Sequence, residues 1–166
     1  LSHIFEAMGK VLERTSRKVK IFVVGDGMER QKIEELSEEL NAQHNNSVEL
    51  TSWITDIGSF NAAMDIVCLT SNNEGTPVSL IEAQAACIPV VSTDVGGVRD
   101  ILVDGDTGFV VPVNDSEKFA EKVLDLVENE KKRLEMSQNG WTFVRDKFHY
   151  NTLVSNMDNL YRELLK

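Results

Sequence analysis

Residues 65–93, DIVCLTSNNEGTPVSLIEAQAACIPVVST, decide the fold. The stretch opens with DIVCLTS, an apolar run that predicts a buried strand, and it closes with PVVST, which predicts another. Between them we predict a helix over residues 77 to about 86, with Thr76 as its N-cap and Pro77 at its first position. A strand, a helix and a second strand in this order are typical of α/β proteins with parallel strands.

The same alternation runs through the rest of the chain. VKIFVVGDG (19–27) and SVELTSW (47–53) predict further strands, each followed by a predicted helix, MERQKIEELSEELN and DIGSFNAAM. GGVRDIL predicts a helical turn and FVVP a last strand, and residues 115–165 predict helix with breaks near Gly140 and Tyr150. We therefore expect one Rossmann-like α/β domain over residues 1–166, a doubly wound parallel sheet with helices on both faces.

Composition and charge limit the kinds of partner and site that this chain could have. The formal net charge is −10, whereas a nucleic-acid surface needs clustered Lys and Arg, so we predict no nucleic-acid partner. A phosphate site made of backbone N–H groups stays compatible with that charge. Cys68 and Cys87 stand in apolar surroundings, which predicts buried, reduced thiols and a cytoplasmic location. The three histidines show no ligand spacing, and no metal site is predicted.

The loop SNNEGTP follows a predicted strand and precedes a predicted helix. In open α/β sheets, ligands bind beyond the carboxyl ends of the strands. Gly75 has no Cβ and lets a ligand approach the backbone closely. The free N–H groups at the start of the helix and its dipole favour an anion there, so residues 75–78 predict a phosphate site without a lysine.

Two carboxylates flank this turn. At a rise of about 1.5 Å per helical residue, Glu82 lies several ångströms deeper than the phosphate position, while Glu74 precedes the helix. This separation suits hydrogen bonds to hydroxyls at the two ends of an extended ligand. A glycosidase pair, with carboxyl groups roughly 5 to 9.5 Å apart, stays open, although it leaves the anion-binding turn unexplained. So does a pair of solvated glutamates beside an ordinary helix.

Residues 71–115, SNNEGTPVSLIEAQAACIPVVSTDVGGVRDILVDGDTGFVVPVND, resemble the donor-binding signature of retaining GT-B glycosyltransferases of family 4, with their E-x7-E motif. IFVVGDG and the segments ELTSW and DIGSFNAAMDIVCLTS are similar to the same domain, so the resemblance covers nearly the whole chain. It implies a carboxy-terminal nucleotide-sugar-binding domain that works without a cofactor or metal on a UDP-sugar or GDP-sugar.

The resemblance also implies roles for individual residues. Glu74 would contact the hydroxyls of the transferred sugar, as the catalytic candidate, and Glu82 would hydrogen-bond the ribose. The turn between them would supply N–H groups to the diphosphate, and the loop after the SVELT strand would line the base. We also expect the Gly-Asp-Gly turn to line the cleft. The remaining donor-binding candidates are therefore Gly75, Thr76, Pro77, Val78, Ser52, Trp53, Ile54, Gly25 and Gly27.

The chain departs from the family pattern at two points. Cys87 stands where these enzymes usually have Gly, so it must accept a left-handed conformation or end the helix differently. The first strand of the domain, with the Arg and Lys that neutralise the diphosphate, lies in the family before the helix with which this chain starts. LSHIFEAMGKVLERT is already helical in periodicity and has no initiator Met, which we interpret as a piece of a longer protein.

On this interpretation the first strand is missing and the chain is inactive alone. The acceptor, a glycan, lipid or small molecule, would bind an amino-terminal domain, and peripheral membrane association of the intact protein is compatible with this. A non-catalytic nucleotide-sugar-binding module and a GT-B-fold epimerase remain alternatives. Asp104, Gly105 and Asp106 predict a turn rather than a metal site. Gly96 and Gly97 predict either a backbone turn near the cleft or a purely structural one.

Overall fold

The computed structural model describes residues 2–166, in which helices and short strands alternate. The strands are β1 (Ile21–Val23), β2 (Val48–Leu50), β3 (Val67–Leu69), β4 (Val90–Thr93) and β5 (Gly108–Val111). The helices are α1 (Ser2–Arg14), α2 (Arg30–Gln43), α3 (Ile57–Ala62), α4 (Val78–Ala85), α5 (Val98–Ile101), α6 (Ser116–Glu128), α7 (Glu130–Phe148) and α8 (Tyr150–Leu164).

All strand pairs in the described part of the chain are parallel. β1 pairs with β2, and β3, β4 and β5 form a second sheet in that order, with Val67 opposite Val90 and Val90 opposite Gly108. The α/β class with parallel sheets is therefore confirmed. In residues 2–166 the strands form a two-stranded and a three-stranded sheet, whereas the sequence predicted a single sheet.

Helices cover both faces of the larger sheet. On one face, α1, α2 and α6 form an apolar cluster with Val91 of β4, and on the other face α4 and α5 pack with Val90. Successive side chains of a strand point to opposite faces, so β4 contributes to both clusters and is buried throughout. This explains why its sequence is a continuous apolar run. The contact with Val90 also places α4 directly on the sheet.

The carboxy-terminal helices differ from the prediction in one respect. The break lies at Asn129, whose side chain accepts a hydrogen bond from the Lys132 N–H and caps α7, whereas Gly140 lies inside α7. A Cβ on Gly140 would stand 3.2 Å from the Gln84 side chain of α4. Gly140 therefore allows two helices to approach each other and does not end one. The predicted break near Tyr150 is confirmed at His149, and α8 buries none of its side chains.

The expectation of two buried thiols was wrong for Cys87, which is exposed; the Cys68 side chain also has accessible surface, but the packing around it raises the pKa of its thiol to about 12. Cys68 lies on β3, which pairs on one side only within the described residues. Cys87 follows α4 with a φ of +59°. Its N–H donates to the Gln84 carbonyl, and the Ile88 N–H donates to the Ala83 carbonyl, which is the Schellman pattern of a helix end. Cys87 thus occupies the left-handed position that glycine prefers.

Replacing Cys87 with glycine is expected to stabilise the chain by about 1 kcal/mol, the cost of a side chain in the left-handed region. Urea denaturation monitored by circular dichroism measures the change in the free energy of unfolding. Cys87→Ala keeps the Cβ and should give no gain. An equal gain in the alanine variant would show that the thiol, and not the backbone conformation, limits stability.

None of the helices in residues 2–166 has the length and apolarity that crossing a membrane requires.

Candidate functional site

The loop of residues 70–77 leaves the carboxyl end of β3 and leads into α4, as predicted. The Thr93 hydroxyl, at the carboxyl end of the neighbouring β4, donates a 2.7 Å hydrogen bond to the Ser71 carbonyl. Pro77 is buried, whereas Gly75 and Thr76 are exposed. The loop is therefore anchored at its start and at its end, and its middle faces solvent.

The start of α4 lies one residue later than predicted. Pro77 is the N-cap with ψ of 96°, Val78 is the first helical residue, and Thr76 is outside the helix. Pro77 has no side-chain acceptor, so no side chain among the described residues caps this helix. The correction has a simple cause, since the extended ψ of Pro77 delays the helix by one position.

Because α4 starts at Val78, backbone N–H groups near its first turn have no acceptor among residues 2–166. The Leu80 N–H donates to the Pro77 carbonyl at 3.1 Å, but within residues 2–166 no protein acceptor takes the N–H of Thr76, Val78 or Ser79. Free N–H groups and the positive end of the helix dipole are what an anion requires. The capping prediction was wrong in register, while the geometry retains the groups on which the anion-site prediction depends.

Both glutamates are available for an external ligand. Glu82 is exposed in the second turn of α4, and Glu74 is half-buried in the loop. In the described part of the chain, neither carboxylate takes part in a hydrogen bond or an ion pair. Two unengaged acceptors therefore lie on either side of a row of free N–H donors.

Two cavities among residues 2–166 lie away from the predicted site residues. A cavity of about 30 Å³ at the carboxyl ends of β3, β4 and β5 holds little more than one water. A larger groove of about 340 Å³ lies between α4 and the α7–α8 junction, lined mainly by apolar side chains. The groove contains none of the predicted site residues. The exposed residues Gly75, Thr76 and Glu82 thus line neither the cavity nor the groove.

The other predicted site residues lie on two separate loops. Ser52, Trp53 and Ile54 lie between β2 and α3, with Trp53 77% exposed, and α3 packs against α4. Gly25, with a φ of +119°, and Gly27 lie in the loop that follows β1. No hydrogen bond between described residues joins either loop to residues 74–82. Their roles stay predictions.

An ion pair after β4 was missed from the sequence. Arg99 donates from Nε and Nη2 to the two oxygens of Asp94, at 2.8 and 2.6 Å. The Arg99 guanidinium lowers the pKa of the Asp94 carboxyl below its usual value. Asp94 therefore already balances the charge of Arg99, the second residue of α5. The Asp and Arg on either side of Gly96 and Gly97 were the available signal.

Residues 103–108 form the predicted turn. The Gly105 N–H donates to the Gly108 carbonyl at 2.8 Å, and the Asp104 carboxylate accepts from the Val110 N–H. The Asp106 carboxylate accepts from the Asn139 amide. Both carboxylates are thus engaged in holding the turn and its neighbours.

Comparison with known proteins identifies the class and then the family. The fold is that of the GT-B glycosyltransferases: it matches HepE from Anabaena, solved with UDP and glucose, with a TM-score of 0.83 at 22% identity over 98% of this chain and 44% of HepE. The carboxy-terminal domain of LpcC from Francisella tularensis, a group 1 family protein, matches with a TM-score of 0.79 at 26% identity, over 88% of this chain and 77% of that one.

Sequence comparison gives the family. Residues 1–142 match the family model of glycosyl transferases group 1. CapM of Staphylococcus aureus, a capsular polysaccharide biosynthesis glycosyltransferase, is 32% identical over 95% of this chain and 41% of its own length. The chain belongs to the glycosyl transferases group 1 family, and it spans about two fifths of the length of this curated relative.

Proposed function

We propose that the intact protein transfers a sugar from a nucleotide diphosphate sugar to an acceptor, with retention at the anomeric carbon, and that this chain is its donor-binding part. The observation that carries the proposal is the start of α4, where N–H groups and two carboxylates have no partner among residues 2–166. Family membership supports the transfer, and the UDP and glucose bound by HepE support a nucleotide-sugar donor.

Different residues contact different parts of the donor. The N–H groups of residues 76, 78 and 79 hold the diphosphate, and the helix dipole stabilises the negative charge that develops as the sugar leaves. Glu82 accepts hydrogen bonds from the ribose hydroxyls, and Glu74 accepts them from the hydroxyls of the transferred sugar. The loop with Trp53 lines the base. UDP and GDP are both candidate carriers, and no metal takes part.

The chain acts as half of a site. Pockets that bind small ligands enclose most of the ligand surface, whereas Gly75, Thr76 and Glu82 are exposed on this chain. A second domain is needed to close over the donor, to supply cations for the diphosphate and to bind the acceptor. A glycan acceptor fits the capsular polysaccharide named for CapM. The chain alone is expected to bind the donor without transferring its sugar.

An NMR titration of the ¹⁵N-labelled chain with UDP and then GDP tests this assignment. The amides of residues 75–79 should shift, since those N–H groups receive the diphosphate. UMP, which lacks the second phosphate, is the matched control and should shift them less. Shifts confined to the groove between α4 and α7, or equal shifts with UMP and UDP, would count against the assignment.

A Glu74→Gln variant separates the two carboxylates. It should lower affinity for UDP-glucose about tenfold, the value of a hydrogen bond to a charged group, and leave affinity for UDP unchanged. Isothermal titration with both ligands measures the difference. An equal loss for UDP and UDP-glucose would mean that Glu74 contacts the nucleotide and not the sugar.

A further inference from the structure

Two loops of the candidate site touch through their backbones. We call residues 93–97, which begin with the last residue of β4, the glycine segment. Its Gly97 N–H donates a 2.9 Å hydrogen bond to the Gly75 carbonyl, and the Thr93 hydroxyl donates to the Ser71 carbonyl. The glycine segment therefore holds the loop of residues 70–77 at two points, on either side of Glu74.

The contact is close enough to require glycine at both positions. A Cβ on Gly96 would lie 1.7 Å from the Glu74 carbonyl oxygen, and a Cβ on Gly97 would lie 2.4 Å from the Gly75 carbonyl oxygen. Real Cβ atoms essentially never approach a neighbour to less than 3.0 Å. Gly96 also has a φ of +48°, whereas the φ of Gly97 is −83°. The neighbouring loop, and not only the local turn, therefore excludes a side chain.

The glycine segment is itself fixed to the core. The Asp94 N–H donates to the Val111 carbonyl at 2.8 Å, and the Asp94 carboxylate is held by both hydrogen bonds from Arg99. Val98, which follows directly as the first residue of α5, is fully buried in the same apolar cluster as Leu80 of α4. A displacement of Gly75 cannot be absorbed by this segment without disturbing the end of β5 or the cluster beneath α4.

We infer that Gly96 and Gly97 are positioning residues, which set the location of Glu74 and of the Gly75–Thr76 peptide through backbone contact. The inference rests on the proposed function for the identity of the ligand. It assigns the glycine segment to the diphosphate and sugar end of the donor. Glu82 lies within α4, whose position is set by the buried residues Leu80 and Ala83, so the ribose end does not depend on this contact in the same way.

Gly97→Ala is the decisive variant. A φ of −83° suits alanine, so its only cost is the overlap with the Gly75 carbonyl. Gly108→Ala is the matched control, since its Cβ would lie 2.7 Å from the Val90 carbonyl, at the amino ends of β4 and β5 and away from the loop. Both variants carry a steric overlap with a backbone oxygen, and one of them adjoins the site.

The first measurement needs no nucleotide. In ¹⁵N spectra, Gly97→Ala should move the amide signals of residues 74–76, and Gly108→Ala should leave them in place. Unmoved signals in Gly97→Ala would overturn the inference, because the overlap would then be absorbed elsewhere. Equal movement in both variants would also overturn it, since the loop would be responding to any loss of packing.

The second measurement is the dissociation constant for UDP, taken at a temperature at which every variant is folded. Gly97→Ala should weaken UDP binding about tenfold, as for one lost hydrogen bond to a charged group, and Gly108→Ala by less than about twofold. Unchanged binding in Gly97→Ala beside a binding wild type overturns the positioning role alone. If the wild type binds neither UDP nor GDP, the proposed function fails, and the donor-positioning role fails with it.

Discussion

Glu82→Ala is expected to weaken UDP binding about tenfold to a hundredfold and to leave stability nearly unchanged. A carboxylate that accepts hydrogen bonds from a ribose contributes about 1.5 to 3 kcal/mol, which corresponds to that range of affinity. Glu82 is exposed and has no partner among the described residues, so its removal should change the free energy of unfolding by less than about 0.5 kcal/mol. Isothermal titration with UDP and urea denaturation measure the two effects.

Glu38→Ala is the control for this variant. Glu38 is an exposed glutamate on α2, and its removal changes the net charge by the same amount. UDP affinity should stay at the wild-type value. If Glu38→Ala weakens binding as much as Glu82→Ala does, the effect comes from overall charge, and the contact between Glu82 and the ribose is contradicted.

Leu80→Ala should produce the largest loss of stability, about 2 to 5 kcal/mol, because it opens a cavity among packed side chains. Leu80 is fully buried and belongs to the cluster with Val98 and Ile101 that joins α4 to the sheet. Urea denaturation measures the loss. Leu80→Met keeps most of the volume and should cost less than about 1.5 kcal/mol. A loss below about 1 kcal/mol for Leu80→Ala would mean that α4 is not packed as described.

Leu80→Ala and Glu82→Ala separate stability from ligand binding within a single helix. Leu80 and Glu82 are two residues apart, and they face the core and solvent respectively. Stability should respond to the first and UDP affinity to the second. Different responses of stability and affinity are expected because one face of α4 packs on β4 and the other contacts the ligand.

The order of elements could be predicted from the sequence, because apolar runs and helical periodicity are local signals. Their lengths could not, since residues of the same apolar run continue into loops: VKIFVVGDG gives a strand of only three residues, Ile21–Val23. The role of Gly140 could not be predicted from its neighbours in sequence. Whether a glycine ends a helix or admits a neighbour depends on Gln84, which is distant in the chain and adjacent in space.

The candidate site shows the same division. The anion-binding loop was predictable, because its residues are consecutive, and the start of α4 was placed within one residue. The dependence of Glu74 and Gly75 on Gly96 and Gly97 was not, because two loops some twenty residues apart must first be packed together. The exposure of Cys68 likewise follows from the position of β3 in the sheet, which its apolar neighbours in sequence do not reveal.

Thermal unfolding of the chain with UDP, GDP, ADP and their sugar conjugates, beside Glu82→Ala, tests the donor-binding claim most directly. A ligand at a hundred times its dissociation constant adds about 2.7 kcal/mol of stability. We predict that UDP or GDP raises the melting temperature of the wild type and has little effect on Glu82→Ala. No stabilisation by any nucleotide at millimolar concentration, or equal stabilisation of the variant, would contradict the claim that Glu82 and the start of α4 bind the donor.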